Sequence, residues 1–123
     1  VRVIVYEGRV LLVGTVLEEK IKEKADQISW NTKNVKEVAS YITIGKNDLI
    51  DYVKDTRISL ELRAKMLTDK EVSEVNFSVT TENRILYLVG IAQNNKELNK
   101  VIKHASNIAG VKKIVNLSRL KDE

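Results

Sequence analysis

Few side chains in this sequence have the types and spacing that covalent chemistry needs. There is no cysteine and His104 is the single histidine, so thiol nucleophiles and thiolate metal sites are excluded. The acidic residues between positions 18 and 26 alternate with lysines, which is typical of ion pairs on a helix surface. No glycine-rich phosphate loop, serine nucleophile elbow or metal-ligand spacing occurs. We therefore expect a protein that is not an enzyme and needs no metal or cofactor, with His104 at the surface or the core boundary.

Binding of anions is the chemistry that the remaining charged side chains favour, and one predicted helix concentrates it. This helix begins between Asp48 and Asp55, with Asp55 as its N-cap if it begins late, and it ends near Thr68. At about 100° per residue its apolar residues fall on two roughly opposite stripes. The first stripe is Ile58, Leu62 and Met66, and the second is Leu60, Ala64 and Leu67. The cations Arg57, Arg63 and Lys65 flank these stripes, as in a helix that rests on an anionic interface.

One face of a sheet can cover only one stripe, so the second stripe needs another partner. It covers the neighbouring structural unit, contacts lipid, or joins a second copy of the chain, and the sequence leaves these alternatives open. If lipid is the partner, the binding residues are Arg57, Leu60, Arg63, Ala64 and Leu67. The arginines would attract headgroups and the leucines would enter the acyl boundary.

Two further candidate sites lie outside this helix. The residues Lys96, Lys100 and Lys103 share one side of the last predicted helix, either as a second anion-binding face or as an ordinary solvated surface. Trp30 stands at the end of the first predicted helix. Either that helix persists to Trp30 and exposes the indole as a docking anchor, or the helix has ended and the indole folds back over the core.

The strands and helices that are predicted to carry these residues occur twice in the sequence. Residues 3–14 (V-I-V-Y-E-G-R-V-L-L-V-G) and 79–90 (V-T-T-E-N-R-I-L-Y-L-V-G) each read as two apolar runs around a polar turn, which predicts two β-hairpins at an offset of 76 residues (79 − 3). After each hairpin the spacing changes to that of a helix, and another alternating run follows. The two predicted helices match less well than the strands, because their apolar stripes are one residue out of step.

The pattern predicts an α+β protein of two tandem units. Residues 1–45 form the first unit, in the order strand, strand, helix, strand, and 46–123 form the second, which opens with an additional helix. Its later elements are predicted as a helix at 95–109 and one continuous strand at 111–120. The stretch Gly45–Asp48 is the predicted linker. In this sequence the first unit is predicted without the opening helix that the second unit has.

Charge and hydropathy limit the classes of partner. The formal net charge is +4 and divides evenly between the two parts of the chain, so no concentrated basic patch indicates a nucleic-acid binder. No apolar run approaches the roughly 18 residues of a membrane-spanning helix. Because the chain starts at Val1 in mid-strand, we expect a processed or trimmed product.

The order of elements and several short motifs resemble the BON domain. These motifs are the hairpin ending L-V-G, the strand starts N-V-K-E-V and G-V-K-K-I, V-T-T-E-N at Val79–Asn83 and T-x-I at Thr56–Ile58. The resemblance implies two αββαβ sandwiches and a non-enzymatic periplasmic protein, often an outer-membrane lipoprotein, that binds anionic phospholipid and supports membrane integrity. A lipid-attachment cysteine, if there is one, would then lie upstream of Val1. A periplasmic protein partner or self-association is the alternative role.

Two residues depart from the pattern of similar proteins. Arg57 stands where a tryptophan is usual, which exchanges an interfacial aromatic side chain for a cation that could meet a lipid phosphate. Arg84 stands where a hairpin glycine is usual, so we expect the second turn to be looser than the first.

Overall fold

The computed structural model describes residues 1–45 and 49–121. The chain divides into two compact units, Val1–Asn47 and Asp48–Glu123. Both contain helices and a β-sheet, so the predicted α+β class is confirmed. Most of the predicted linker Gly45–Asp48 lies outside the described residues. No helix within the described ranges is both long and apolar enough to span a membrane.

The first unit is a three-stranded sheet with one helix. Its elements are β1 (Arg2–Tyr6), β2 (Arg9–Val16), α1 (Glu19–Trp30) and β3 (Glu37–Ile44). β1 and β2 form the predicted antiparallel hairpin, and β3 returns parallel to β2, so β2 is the central strand. The core is small: Val10, Leu12, Val16 and Ile42 are buried together, and Ala25 of α1 packs against them. The apolar alternation of β2 therefore supplies most of this core.

The second unit has the same order with a helix in front. Its elements are α2 (Leu49–Leu67), β4 (Phe77–Glu82), β5 (Ile85–Ala92), α3 (Asn95–Ser106), β6 (Lys113–Asn116) and β7 (Arg119–Leu120). β5 is central, antiparallel to β4 and parallel to β6 and β7. α2 and α3 both contribute side chains to one large core with β4 and β5.

Two predicted boundaries in this unit are wrong. The last strand is not continuous over 111–120, because the chain turns between β6 and β7, where the Asn116 side chain accepts a hydrogen bond from the Ser118 N–H at 3.0 Å. α3 ends at Ser106 instead of Ala109, and the N–H groups of Asn107 and Ile108 bond back to His104 and Ala105 in a tightened last turn.

The helices that follow the hairpins occupy matching positions in the two units, although their apolar stripes are one residue out of step in the sequence. Adding 76 to the bounds of β2 (9 and 16) and α1 (19 and 30) gives the bounds of β5 (85 and 92) and α3 (95 and 106). Ala25 of the first helix and Val101 of the last are at matching positions, and each packs in the core of its own unit. The other apolar residues that the last helix contributes to its core match polar or charged residues in the first helix. The units therefore share the positions of the hairpin and the helix after it, and they differ in the last strand, which is continuous as β3 and split into β6 and β7.

Candidate functional site

The first of the two predicted stripes attaches α2 to its own sheet. Ile58, Leu62 and Met66 are fully buried and belong to one core with Val79 and Leu88. A four-residue spacing keeps the three side chains on one side of the helix. This side of α2 is thereby fixed, and it determines which residues the helix presents on its other side.

A buried carboxylate in the middle of α2 ties the helix to the hairpin turn. Asp55 is 1% exposed, and its two oxygens accept hydrogen bonds from the backbone N–H groups of Asn83 at 2.8 Å and Arg84 at 2.7 Å. Because α2 begins at Leu49, Asp55 lies in the helix interior and the predicted N-cap role is wrong. Charge-assisted bonds of this length are among the stronger ones in proteins.

The same carboxylate explains why Arg84 can occupy the turn. Asn83 and Arg84 have φ values of 52° and 63°, and the matching residues of the first hairpin, Glu7 and Gly8, have 48° and 78°. Both turns thus have the left-handed conformation at their two central positions that tight hairpins favour. The expectation that the second turn is looser is wrong, since the bonds to Asp55 hold Arg84 in a conformation that glycine would adopt more readily.

The second predicted stripe is exposed, and it is longer than the sequence indicated. Leu60 and Leu67 are 59% and 69% exposed, Ala64 beside them is exposed, and Val53, 58% exposed, extends the line. We call Val53, Leu60 and Leu67 the exposed stripe. Their seven-residue spacing aligns them along about 21 Å of helix, opposite the buried stripe.

Val53 and the neighbouring Tyr52 were missed from the sequence because the helix start was unsettled. Both line a shallow apolar depression on this face, together with Thr56, Arg57, Leu60 and Glu61. The seven-residue repeat of Val53, Leu60 and Leu67 is the signal that would have found the first of them.

Two arginines border the exposed stripe, one on each side. Arg57 and Arg63 are three residues before and after Leu60, which places them about 60° to either side of it. The Arg57 guanidinium donates to the Ala109 carbonyl at 2.9 Å and to Glu61 Oε1 at 3.4 Å, and its side chain is still 49% exposed.

Arg63 also bonds within its unit. Its Nη2 donates to the Val79 carbonyl at 3.4 Å, and the residue is exposed. Lys65, which the sequence placed at the flank, is only half-exposed and lies five residues from Leu60, about 140° around the helix. The arginines, and not Lys65, therefore provide the positive charge beside the exposed stripe.

The predicted second basic face on α3 is largely neutralised. Lys96 pairs with Glu71 at 3.2 Å, and Lys100 pairs with Asp69 at 3.1 Å and with Glu71 at 3.6 Å. The acidic residues come from the loop after α2, which passes along this side of α3. Lys96 and Lys103 are both exposed, and Lys100 is half-buried. These pairs offset the positive charge of Lys96 and Lys100, and the role of the three lysines as an anion-binding face stays a prediction.

His104 is a boundary residue, as expected, and it joins the same ionic cluster. Its Nε2 lies 2.8 Å from Asp69 Oδ2, and its side chain is 28% exposed. This bond, a backbone bond from the Glu71 N–H and the Lys100 ammonium lower the pKa of Asp69 from 3.8 to about 2. Hydrogen bonding to Lys96 likewise lowers the pKa of Glu71, and hydrogen bonding to Asp69 raises that of Lys100.

The Asp69 cluster makes stability depend on pH in the acid range. Because the pKa of Asp69 is about 2 in the folded chain against an ordinary value of 3.8, the folded state binds this proton less readily than the unfolded state. Its stabilisation should be complete above about pH 4 and lost as pH falls through about 2. We expect the difference in urea midpoint between the wild type and Asp69→Asn to become smaller as the pH is lowered from about 4 to about 2. A Ser106→Ala control, which removes no titrating group, should show a constant difference; a constant difference for Asp69→Asn would contradict the cluster's role.

Trp30 remains helical and exposed. α1 ends at Trp30 itself, and the indole is 55% exposed. The interpretation in which the helix has ended and the indole folds over the core is therefore wrong. A role of Trp30 as a docking residue of the first unit stays a prediction.

Comparison with known proteins identifies the family. The BON domain matches residues 1–46 and 54–122, which together are most of the chain. The chain belongs to the BON-domain family. The BON match contains both hairpins and both helices that follow them, and its second segment also contains all but the first residues of α2.

Three relatives of this BON-domain chain are longer bacterial proteins. The first is a protein of Anaplasma centrale known as "uncharacterized protein in gshII 5'region", 40% identical over 95% of this chain and 79% of its own length. The chain is 29% identical to the outer membrane lipoprotein DolP of Haemophilus influenzae, over 99% of this chain and 63% of DolP. It is 28% identical to the 21 kDa hemolysin of Actinobacillus pleuropneumoniae, over 84% of this chain and 60% of the hemolysin. The chain thus spans less than two thirds of the length of DolP and of the hemolysin.

Proposed function

We propose that this chain is a pair of tandem BON units from a non-enzymatic protein of the bacterial envelope. In this proposal α2 binds the surface of an anionic phospholipid membrane, from the periplasmic side, and this contact supports the integrity of the outer membrane. The exposed stripe enters the boundary between headgroups and acyl chains, and Arg57 and Arg63 meet lipid phosphates.

The observation that carries the proposal is the two-sided character of α2. One side is fully buried in its own unit, and the opposite side aligns three exposed apolar residues between two arginines. A helix that lies in a membrane interface has an apolar stripe of this kind with cations at its borders. Each basic residue near an anionic surface adds about 1 kcal/mol of attraction, and the leucines add the hydrophobic contribution.

The relatives support the envelope as the compartment. DolP of Haemophilus influenzae is named an outer membrane lipoprotein, and the protein of Actinobacillus pleuropneumoniae is named a hemolysin. Both names are those of membrane-associated proteins. The relation to DolP extends over almost the whole of this chain, which includes α2.

Substitution of Leu67 tests the proposal on vesicles. We expect binding to vesicles of phosphatidylcholine to rise as phosphatidylglycerol is added, and Leu67→Glu to weaken it at least about tenfold. Burial of one leucine is worth about 1.5–3 kcal/mol, and about 1.4 kcal/mol corresponds to a factor of ten. Cosedimentation with vesicles measures the effect.

Leu17 provides a matched control. It belongs to the first unit and is 68% exposed, against 69% for Leu67, so Leu17→Glu adds the same charge to an equally exposed leucine that is not part of α2. It should weaken binding much less. If binding is indifferent to phosphatidylglycerol, or if the two variants bind alike, α2 is not the membrane contact.

A protein-interaction module is the second candidate function, and the exposure of Trp30 favours it. Exposed tryptophans are enriched at the centres of protein interfaces. Light scattering in the absence of lipid separates the two functions: a dimer that forms with rising concentration and is lost in Leu60→Glu or Trp30→Ala would support self-association. A monomer at all concentrations that binds vesicles would support the membrane function.

A further inference from the structure

The last strand of the first unit forms an edge of its sheet that no other strand within residues 1–45 and 49–121 covers. β3 pairs with β2, and the sheet order β1–β2–β3 places it at the end. All eight of its residues, Glu37–Ile44, are in register with β2 without interruption. An edge strand presents a row of backbone N–H and C=O groups that can pair with another strand. β3 therefore offers a long template for the addition of a strand.

The backbone groups of every second residue of β3 are directed away from β2. In a parallel pair, alternate residues of a strand bond to the neighbouring strand. The N–H of Gly45, directly after β3, donates to the Val16 carbonyl at 2.8 Å, so the odd-numbered residues of β3 are the ones that bond to β2. The even-numbered residues face outward, and we call their N–H and C=O groups the open edge. These residues are Val38, Ser40, Ile42 and Ile44.

The matching edge of the second unit is interrupted and charged. There the last strand is split into β6 and β7 by a turn that Asn116 bonds to, at the position that matches the middle of β3. Lys113 begins β6 and Arg119 begins β7. Proteins prevent the pairing of exposed edges by such breaks and charges. β3 is continuous, and its one charged residue, Glu37, stands at its first position and pairs with Arg9 at 3.3 Å.

The open edge is complementary to a second copy of itself. Two strands related by a twofold axis run antiparallel, and facing residues of an antiparallel pair exchange two hydrogen bonds. With the axis at Tyr41, Val38 lies opposite Ile44 of the second copy. Ser40 lies opposite Ile42 in the same way. All outward-facing residues of both copies are then paired, which allows about eight backbone hydrogen bonds, close to the roughly ten of a typical protein interface.

We infer that β3 is a self-association strand: the open edges of two copies pair antiparallel about a twofold axis at Tyr41 and join two three-stranded sheets into one. A second copy is the partner that fits, because the twofold arrangement satisfies the whole open edge, places no like charges of β3 opposite each other and closes at two chains. The resulting sheet of six strands has a common size. This contact uses the first unit and does not depend on the membrane role proposed for α2.

Amide hydrogen exchange tests the inference on the unaltered 123-residue chain. In the monomer the amides of Ala39, Tyr41 and Thr43 are protected by their bonds to β2, and the outward-facing amides exchange quickly. When the protein concentration is raised from about 10 μM to about 1 mM, exchange of the outward-facing amides should slow at least about fivefold, and the inward-facing amides should change less. Outward-facing amides that exchange at the same rate at both concentrations would overturn the inference.

Ser40→Pro and Ser40→Ala form a matched pair of variants. Proline removes an outward N–H and is tolerated on edge strands where that N–H faces solvent, whereas alanine keeps the N–H. Sedimentation equilibrium should show a dimer that is weakened at least about tenfold in Ser40→Pro, since each copy loses one bond, and unchanged in Ser40→Ala. Protection of the inward-facing amides checks that Ser40→Pro is folded. A dimer retained in the folded Ser40→Pro variant, or lost in Leu60→Glu, would contradict pairing through β3.

A cysteine at the proposed axis tests the register, because the sequence has no cysteine of its own. Residues opposite each other at a non-hydrogen-bonded position of an antiparallel pair have Cα atoms about 4.5 Å apart, which a disulfide can bridge. Tyr41→Cys should therefore form a disulfide-linked dimer under mild oxidation. Thr43→Cys should not, because its two copies would be about 14 Å apart along the strands. Equal cross-linking of the two variants, or cross-linking of neither, would overturn the inference.

Discussion

Replacement of Asp55 by alanine is expected to lower the free energy of unfolding of the second unit by about 3 kcal/mol. The change removes two hydrogen bonds from backbone N–H groups to a charged acceptor, each worth about 1.5–3 kcal/mol, and leaves those groups without their partner. It also removes the bond to the Arg84 N–H from a residue in a left-handed conformation, which then keeps only the bond that its carbonyl accepts from the Lys112 N–H at 2.8 Å among those described. Urea unfolding followed by far-ultraviolet circular dichroism measures the loss, and amide hydrogen exchange at Asn83 and Arg84 should accelerate.

Glu61 and Arg84 supply the controls for this prediction. Glu61→Ala removes a carboxylate of the same helix that makes a half-exposed pair with Arg57, and it should cost under about 1 kcal/mol. Adding Arg84→Gly to the Asp55→Ala variant should recover part of the lost stability, because glycine adopts the turn conformation without strain. Superposable unfolding curves for Asp55→Ala and Glu61→Ala would contradict the role given to Asp55.

Replacement of Gly90 by alanine is expected to cost about 3 kcal/mol, at the upper end of what overpacking usually costs. Gly90 lies in β5 opposite Phe77, and an added Cβ would collide with the Asn76 carbonyl and with Phe77. Since part of that obstacle is backbone, no rotamer change relieves it. Thermal unfolding should show the lower midpoint, with a lower yield of folded protein.

Gly110→Ala separates crowding from backbone strain. Gly110 has a φ of 93°, but an added Cβ there would meet only ordinary contacts with Arg57 and Ile58. Its cost should be the roughly 1–2 kcal/mol of a left-handed residue. A larger effect at Gly110 than at Gly90 would show that crowding at the hairpin is not what requires glycine.

The strands and helices were predictable because their signals are local. The alternation of β2 and β5 and the four-residue spacing of Ile58, Leu62 and Met66 depend only on which side chains a sheet or helix can bury. The split between β6 and β7 was not predictable from this pattern. It depends on an Asn116 side chain that bonds to the backbone two residues on, which apolar periodicity does not register.

The candidate site was predictable only in part. Exposure of Leu60 and Leu67 follows from the two opposite stripes, but the role of Asp55 required knowing that the hairpin turn meets the middle of α2, 28 residues away. The pairing of Lys96 and Lys100 was missed for the same reason, since their partners Glu71 and Asp69 are distant in sequence. Charge patterns on one helix do not reveal which loop passes beside it.

The bonds of Asp55 have a consequence for the thermodynamics of any contact that α2 makes. Helical peptides that fold only at a membrane lose conformational entropy on binding, about 1–2 kcal/mol for each residue that becomes ordered. α2 is already ordered, and the turn bonds together with the buried stripe prevent it from rotating to hide Leu60 and Leu67. A contact made through the exposed stripe would therefore be free of the backbone ordering cost that such peptides carry, and only the loss of side-chain and overall freedom would oppose it.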